Sequence, residues 1–217
     1  MDMKGSITAI KDAITKSAAE RTSPEVISAA YAVVHLIGGV LLASARLLGA
    51  AGPFGMAAVA ASGAGLNGVA ALIGAAIGYI ISCGLAGSIR YLAAIVLVYT
   101  ISFAFQDTKL ASKSVFAPAT AAVSALSTGI LSSFTSVFTQ APAAAVVLIE
   151  TVFSFGGCWF FREAMSGRER TTESEELRYA GSVLITAAVL LMAVSQIEIF
   201  GAISLGRLVA VLIVMTC

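Results

Sequence analysis

Two stretches of this chain carry no Asp, Glu, Lys or Arg: Leu47–Ile89, 43 residues, and Ser114–Ile149, 36 residues. A helix needs about 20 apolar residues to cross a hydrocarbon core of ~30 Å. The first run is long enough for two passes, and so is the second once it draws on the apolar residues beyond Glu150. A soluble globule could not cover such runs. Hydrophobic residues make up 59% of the 217 and charged residues 12%, with a mean hydropathy of +0.96, whereas an ordinary soluble domain carries about 25% charge. With a net charge of +1, this composition excludes a cytosolic enzyme, a disordered chain and a nucleic-acid binder that relies on basic charge. Cys83, Cys158 and Cys217 are odd in number, far apart and without metal-type spacing, which excludes a disulfide scaffold.

The sequence therefore predicts an all-α, polytopic membrane bundle of about eight transmembrane helices, the last truncated. A tail, 1–25, precedes the membrane domain, 26–217. Crossings are expected near 26–45, 53–65, 68–86, 91–106, 115–138, 142–161 and 179–197, and an eighth apolar run begins after Arg207. The second is short, so it must borrow neighbours, tilt or be re-entrant. Leu208–Cys217 would make about 15 Å of helix, half a crossing, so the chain is expected to be a piece of something longer. Ser62–Gly68, rich in Gly and holding Asn67, supplies a break between the second and third crossings.

Lys and Arg counts set the expected orientation. With the N-terminus inside and that break real, ten Lys/Arg fall on inner segments and three (Arg46, Arg90, Arg207) on outer ones. Merging the two crossings would leave six inside and seven outside. Trp159-Phe160-Phe161 before Arg162, and Tyr179 after Arg178, sit where interfacial aromatics belong, and 162–178 reads as a charged cytoplasmic loop. The tail lacks the apolar core of a signal peptide. Ile7, Ile10 and Ile14 share a helical face, which suits a solvated helix or one lying on the inner leaflet.

Few residues in the membrane region offer chemistry. Glu150 falls near the middle of a crossing, where an unpaired ionisable group costs about 2–4 kcal/mol and so faces the bundle interior. Arg46, Arg90 and His35 are its candidate partners, in a structural pair or along a proton or ion path. Ser124, Thr128, Ser132 and Ser136 recur every four residues, and either line a polar path or bond back to their own helix. Gly74 and Gly78 form a G-x-x-x-G that suits close helix packing, within the chain or across a homo-oligomer. Gly63-Ala64-Gly65-Leu66-Asn67-Gly68 spells the dinucleotide fingerprint, but it lacks the preceding strand and the downstream acid that the motif needs. His35 has no metal-ligating neighbours at ligand spacing. Glu198 and Arg207 bracket an outer-side turn.

Several stretches together resemble the N-terminal membrane region of the stage II sporulation protein E family of endospore-forming bacteria. They are Leu47–Met56, Gly78-Tyr79 with Gly87–Leu92, Ile149–Val152 leading into Trp159–Arg162, and Ile197–Arg207 with its apolar continuation. The resemblance implies about ten crossings followed by a cytoplasmic oligomerisation region and a metal-dependent PP2C-type serine/threonine phosphatase domain. It also implies residence in the cell membrane at the asymmetric septum, with the tubulin-like division protein as partner. The Mg or Mn of that family belongs to the phosphatase domain, whose metal-binding aspartates have no counterpart here, so no catalytic residue and no cofactor is expected in this chain. The expected function is a non-catalytic membrane anchor and localisation module. The alternative is a small transporter or channel using Glu150 and His35.

Overall fold

The computed structural model describes residues 24–47, 52–135, 141–166, 172–196, 198–199 and 203–204. Almost all of the N-terminal tail, Ser136, the middle of the 162–178 loop, Arg207 and the final apolar run lie outside them. Six helices follow in order: α1 (Pro24–Ser44), α2 (Pro53–Ser62), α3 (Leu66–Phe105), α4 (Phe116–Thr135), α5 (Ala141–Ala164) and α6 (Glu173–Ser195). A minimal antiparallel pair, β1 (Glu198–Ile199) with β2 (Ile203–Ser204), forms the expected turn after α6.

Four helices are long and apolar enough to cross a membrane: Val26–Ser44, Leu66–Phe105, Ala144–Ala164 and Glu173–Ser195. Eight spans are not seen among the described residues. Helix α4 has comparable length, 20 residues, but its hydroxyl side chains dilute its apolar character.

The 40-residue α3 is two helices joined by a reversal. Gly84 sits at φ 68°, ψ 170°, a conformation that only glycine adopts without strain. As a straight rod α3 would hold residues 68 and 99 about 46 Å apart; instead a side chain at Gly68 would press on the Tyr99 ring. Its legs, 66–83 and 85–105, lie antiparallel. They match the two crossings expected at 68–86 and 91–106, except that the chain turns earlier. Arg90, counted above among the outer loop charges, therefore belongs inside the second leg.

Helix α2 is the shortest of the six helices. It has ten residues, and Pro53–Ala60 are all buried. It is packed inside the bundle against α1, α3, α4 and α5. A side chain at Gly74 would strike the Leu36 carbonyl and one at Gly78 the Val40 carbonyl. Both positions advance by four, so α1 and the first leg of α3 run in the same direction, and α2 must carry the chain back between them. The expected second crossing is thus a short return helix enclosed by protein, the setting in which irregular backbone is tolerated at membrane depth. The glycine-rich break lies where expected: Gly63 and Gly65 take positive φ, and Gly68 leaves room for the Gly63 carbonyl. The dinucleotide-like spelling is a reversal between helices.

Proline explains where α2 starts, since Pro53 lies in the first turn where a missing N–H costs nothing. Small residues explain its depth. Ala57, Ala58 and Ala60 let neighbouring helices close around it, with Phe54, Met56 and Val59 filling the remaining gaps. Apolar side chains left outside, among them Ile81, Leu85, Leu131, Leu177 and Leu184, give the bundle a surface suited to lipid.

Candidate functional site

Glu150 is fully buried, 0% exposed, on α5 beside the start of α2. Three groups from two segments converge on its carboxylate. Tyr91 donates its hydroxyl to Oε1 at 2.7 Å, and the Gly52 backbone N–H reaches the same oxygen at 3.4 Å. Oε2 pairs with the Arg90 guanidinium, whose side chain is 24% exposed. The salt bridge therefore joins a buried acid to a base that reaches the bundle edge. Arg90 also lies over the Tyr91 ring, 4.8 Å from its centroid, an arrangement that stabilises the cation. Because Gly52 caps the N-terminus of α2, the carboxylate also meets the positive end of that helix dipole.

A second layer holds the tip of α2. Tyr79 stacks on Tyr91, with centroids 4.7 Å apart and planes 13° off parallel. Its hydroxyl donates to the Gly52 carbonyl and accepts the Met56 N–H at 3.2 Å. Ser154, one turn beyond Glu150 on α5, donates to the Pro53 carbonyl at 3.3 Å. Both ends of the Gly52–Pro53 junction are thereby satisfied from α3 and α5. An unsatisfied backbone group at this depth would cost several kcal/mol.

Of the partners expected for Glu150, the structure brings in Arg90 alone. His35 directs Nδ1 to the Tyr31 carbonyl of its own helix, at 2.8 Å. Arg46 lies at the end of α1, where its backbone N–H and carbonyl bond the Gln196 side chain, both at 2.9 Å. The hydroxyl row of α4 bonds mostly to its own helix: Thr128 to the Ser124 carbonyl and Ser132 to the Gly129 carbonyl, each at 2.8 Å. Ser124 differs. It is fully buried and its Oγ has no hydrogen-bond partner among the described residues. Gly74 and Gly78 pack against α1 within the chain. No group of three His, Cys, Asp or Glu that could hold a metal gathers among the described residues.

Sequence reading did not single out Tyr79, Tyr91, Gly52 or Ser154 as site residues. A signal existed for the tyrosines: they lie five residues before and seven after Gly84, and a reversal at Gly84 makes them neighbours. Gly52 and Ser154 offer none, because their role comes from where α2 docks.

Compared with known protein families, curated proteins and solved structures, the chain matches none. The site must be interpreted from its own geometry.

Proposed function

We propose that this chain is a membrane-anchoring and localisation module, non-catalytic by itself, of the kind found in the sporulation phosphatase that it resembles. One observation carries the reading. The stretches on which the resemblance rests supply Gly52, Met56, Tyr79, Arg90, Tyr91 and Glu150, residues far apart in sequence that meet in one buried cluster. A resemblance drawn from apolar, glycine-rich composition alone would scatter over lipid-facing positions. These residues instead form the part of the fold that must be kept for α2 to dock.

The geometry also suits a static role. Glu150 is neutralised by Arg90 and held by two further donors, and most hydroxyls of α4 are turned onto their own backbone. In this reading Lys109, Lys113, Arg162 and Arg178 mark the cytoplasmic end, which places the N-terminus in the cytoplasm of a bacterial cell. The partners are the bilayer and, by resemblance, the tubulin-like division protein, with further copies of the chain as a possible homo-oligomer. A fluorescent fusion of residues 1–217, expressed in a sporulating endospore former, is expected to collect at the asymmetric septum. Uniform membrane fluorescence at wild-type level would refute the localisation role.

A small transporter or channel is the second reading, and one feature favours it: transporters also aim half-helix N-termini at charged groups near the midplane. Proton or solute flux through proteoliposomes that Glu150→Gln abolishes would replace the anchor reading with this one.

A further inference from the structure

A cavity of about 280 Å³ opens at the opposite end of α2 from Glu150, among the ends of α2, the second leg of α3, α4 and α5. Ala61, Phe116 and Ala117 form its apolar side, and Ser102, Gln106 and Arg162 its polar side. Ser102 is only 7% exposed, yet its hydroxyl bonds no other described residue and fronts the cavity. Arg162 donates Nη1 to the Ser114 carbonyl at 3.1 Å. A guanidinium has five N–H donors in a fixed fork, so this tether orients Arg162 while leaving donors to spare.

Among the described residues, Arg162 is the one charged side chain lining the cavity. No carboxylate lines it, and neighbouring Glu163 is held by Arg178 at 3.2 Å. The carbonyls ending α2 are taken up internally, Ala58 by the Ser62 hydroxyl and Ala60 by the Gly63 N–H. Exposed Lys109 and Lys113 lie on the connection between α3 and α4, together with exposed Asp107. A guanidinium, an amide and a free hydroxyl around a small half-apolar space suit a tetrahedral oxyanion with a short apolar extension. The volume falls just below the usual small-ligand range of about 300–1,000 Å³. Basic pockets between membrane helices are established headgroup sites.

We propose that this cavity binds a phosphate group, presented by an anionic phospholipid or free in solution, with Arg162 as its charge partner and Ser102 and Gln106 as hydrogen-bonding partners. The inference is independent of the anchor reading, because it concerns different residues at the other end of α2.

The test uses the whole 217-residue chain, purified from mixed phosphatidylglycerol and phosphatidylcholine, with retained lipid counted by native mass spectrometry. Ala61→Leu fills the cavity and leaves Arg162 and its tether in place; Arg162→Gln removes the charge. Both are expected to lower retention of phosphatidylglycerol relative to phosphatidylcholine about tenfold. In a parallel arm, inorganic phosphate is added to protein in phosphatidylcholine nanodiscs. A rise in melting midpoint that Ala61→Leu abolishes, without any lipid preference, assigns the site to free phosphate. Equal lipid retention by wild type and Ala61→Leu, with no response to phosphate, overturns the proposal. So does an Arg162→Gln protein that is less stable but keeps its phosphatidylglycerol, since Arg162 would then be only a tether for Ser114. Should Arg162→Gln fail to fold, the comparison with Ala61→Leu still decides.

Discussion

At the tip of α2, Glu150 takes its hydrogen-bond donors from segments 59 and 98 residues away in the chain. Along α4, Thr128, Ser132 and Ser133 take their partners from the preceding turn of the same helix. Both sets of polar groups lie in an apolar bundle and both are satisfied. They differ in what would be lost with them. A hydroxyl bonded back to its own helix can be removed without separating two elements, because the carbonyl it served already has its helical partner. Removing a group from the Glu150 cluster strands charge or backbone on another segment.

That contrast sets an order of expected effects. Arg90→Ala leaves Glu150 buried without a counter-ion and should cost about 3–5 kcal/mol of unfolding free energy, read by denaturant or steric-trap unfolding in micelles. Replacing both members, Arg90→Met with Glu150→Leu, should recover most of that loss, since the cost lies in the stranded charge. A double variant as unstable as Arg90→Ala would break the comparison by showing that the pair itself holds the fold.

Gly78→Leu comes next. Its side chain meets the Val40 carbonyl and the Ala43 side chain, and backbone cannot swing aside as a side chain could. A loss of about 1–3 kcal/mol is expected. Blue-native migration of whatever folds should be unchanged, because this seam lies within one chain; a shift from oligomer to monomer would contradict the intrachain packing.

Tyr91→Phe keeps the stacking on Tyr79 and removes a hydrogen bond to a charged acceptor, with an expected cost of about 1.5–3 kcal/mol. Protease sensitivity near residues 45–52 should rise with it, since the Gly52 junction loses part of its anchorage. At the low end, Thr128→Val should change stability by less than the ~0.6 kcal/mol that a hydrogen bond between membrane helices averages. A loss of 2 kcal/mol there would show that the α4 hydroxyls bridge segments after all.

Much of the fold was legible in the residues. Membrane residence follows from the charge-free runs. The break at Ser62–Gly68 follows from glycine content and basic-residue bookkeeping, and Gly63 and Gly65 occupy positive φ there. The shortness of 53–65 left borrowed neighbours, tilt or re-entry open, and the parallel run of α1 and the first leg of α3 decides against re-entry. The reversal at Gly84 was missed by several residues because Gly84 and Gly87 look alike in sequence, and only Gly84 takes the left-handed conformation. That displacement moved Arg90 from an outer loop into the membrane region. At the site, Glu150 stood out because a lone acid in an apolar run demands a partner. Choosing Arg90 over Arg46 and His35 needed the helix rotations and the direction of α3, which periodicity does not supply.

Composition and charge spacing alone determined that this chain partitions into lipid as helices, because transfer free energy is summed residue by residue and needs no knowledge of neighbours. Which polar groups meet was decided by tertiary structure. Side chains as distant as Gly52, Arg90 and Glu150 become neighbours only once α2 turns inward and α3 folds back, and a buried charge is satisfied by geometry that no local pattern encodes.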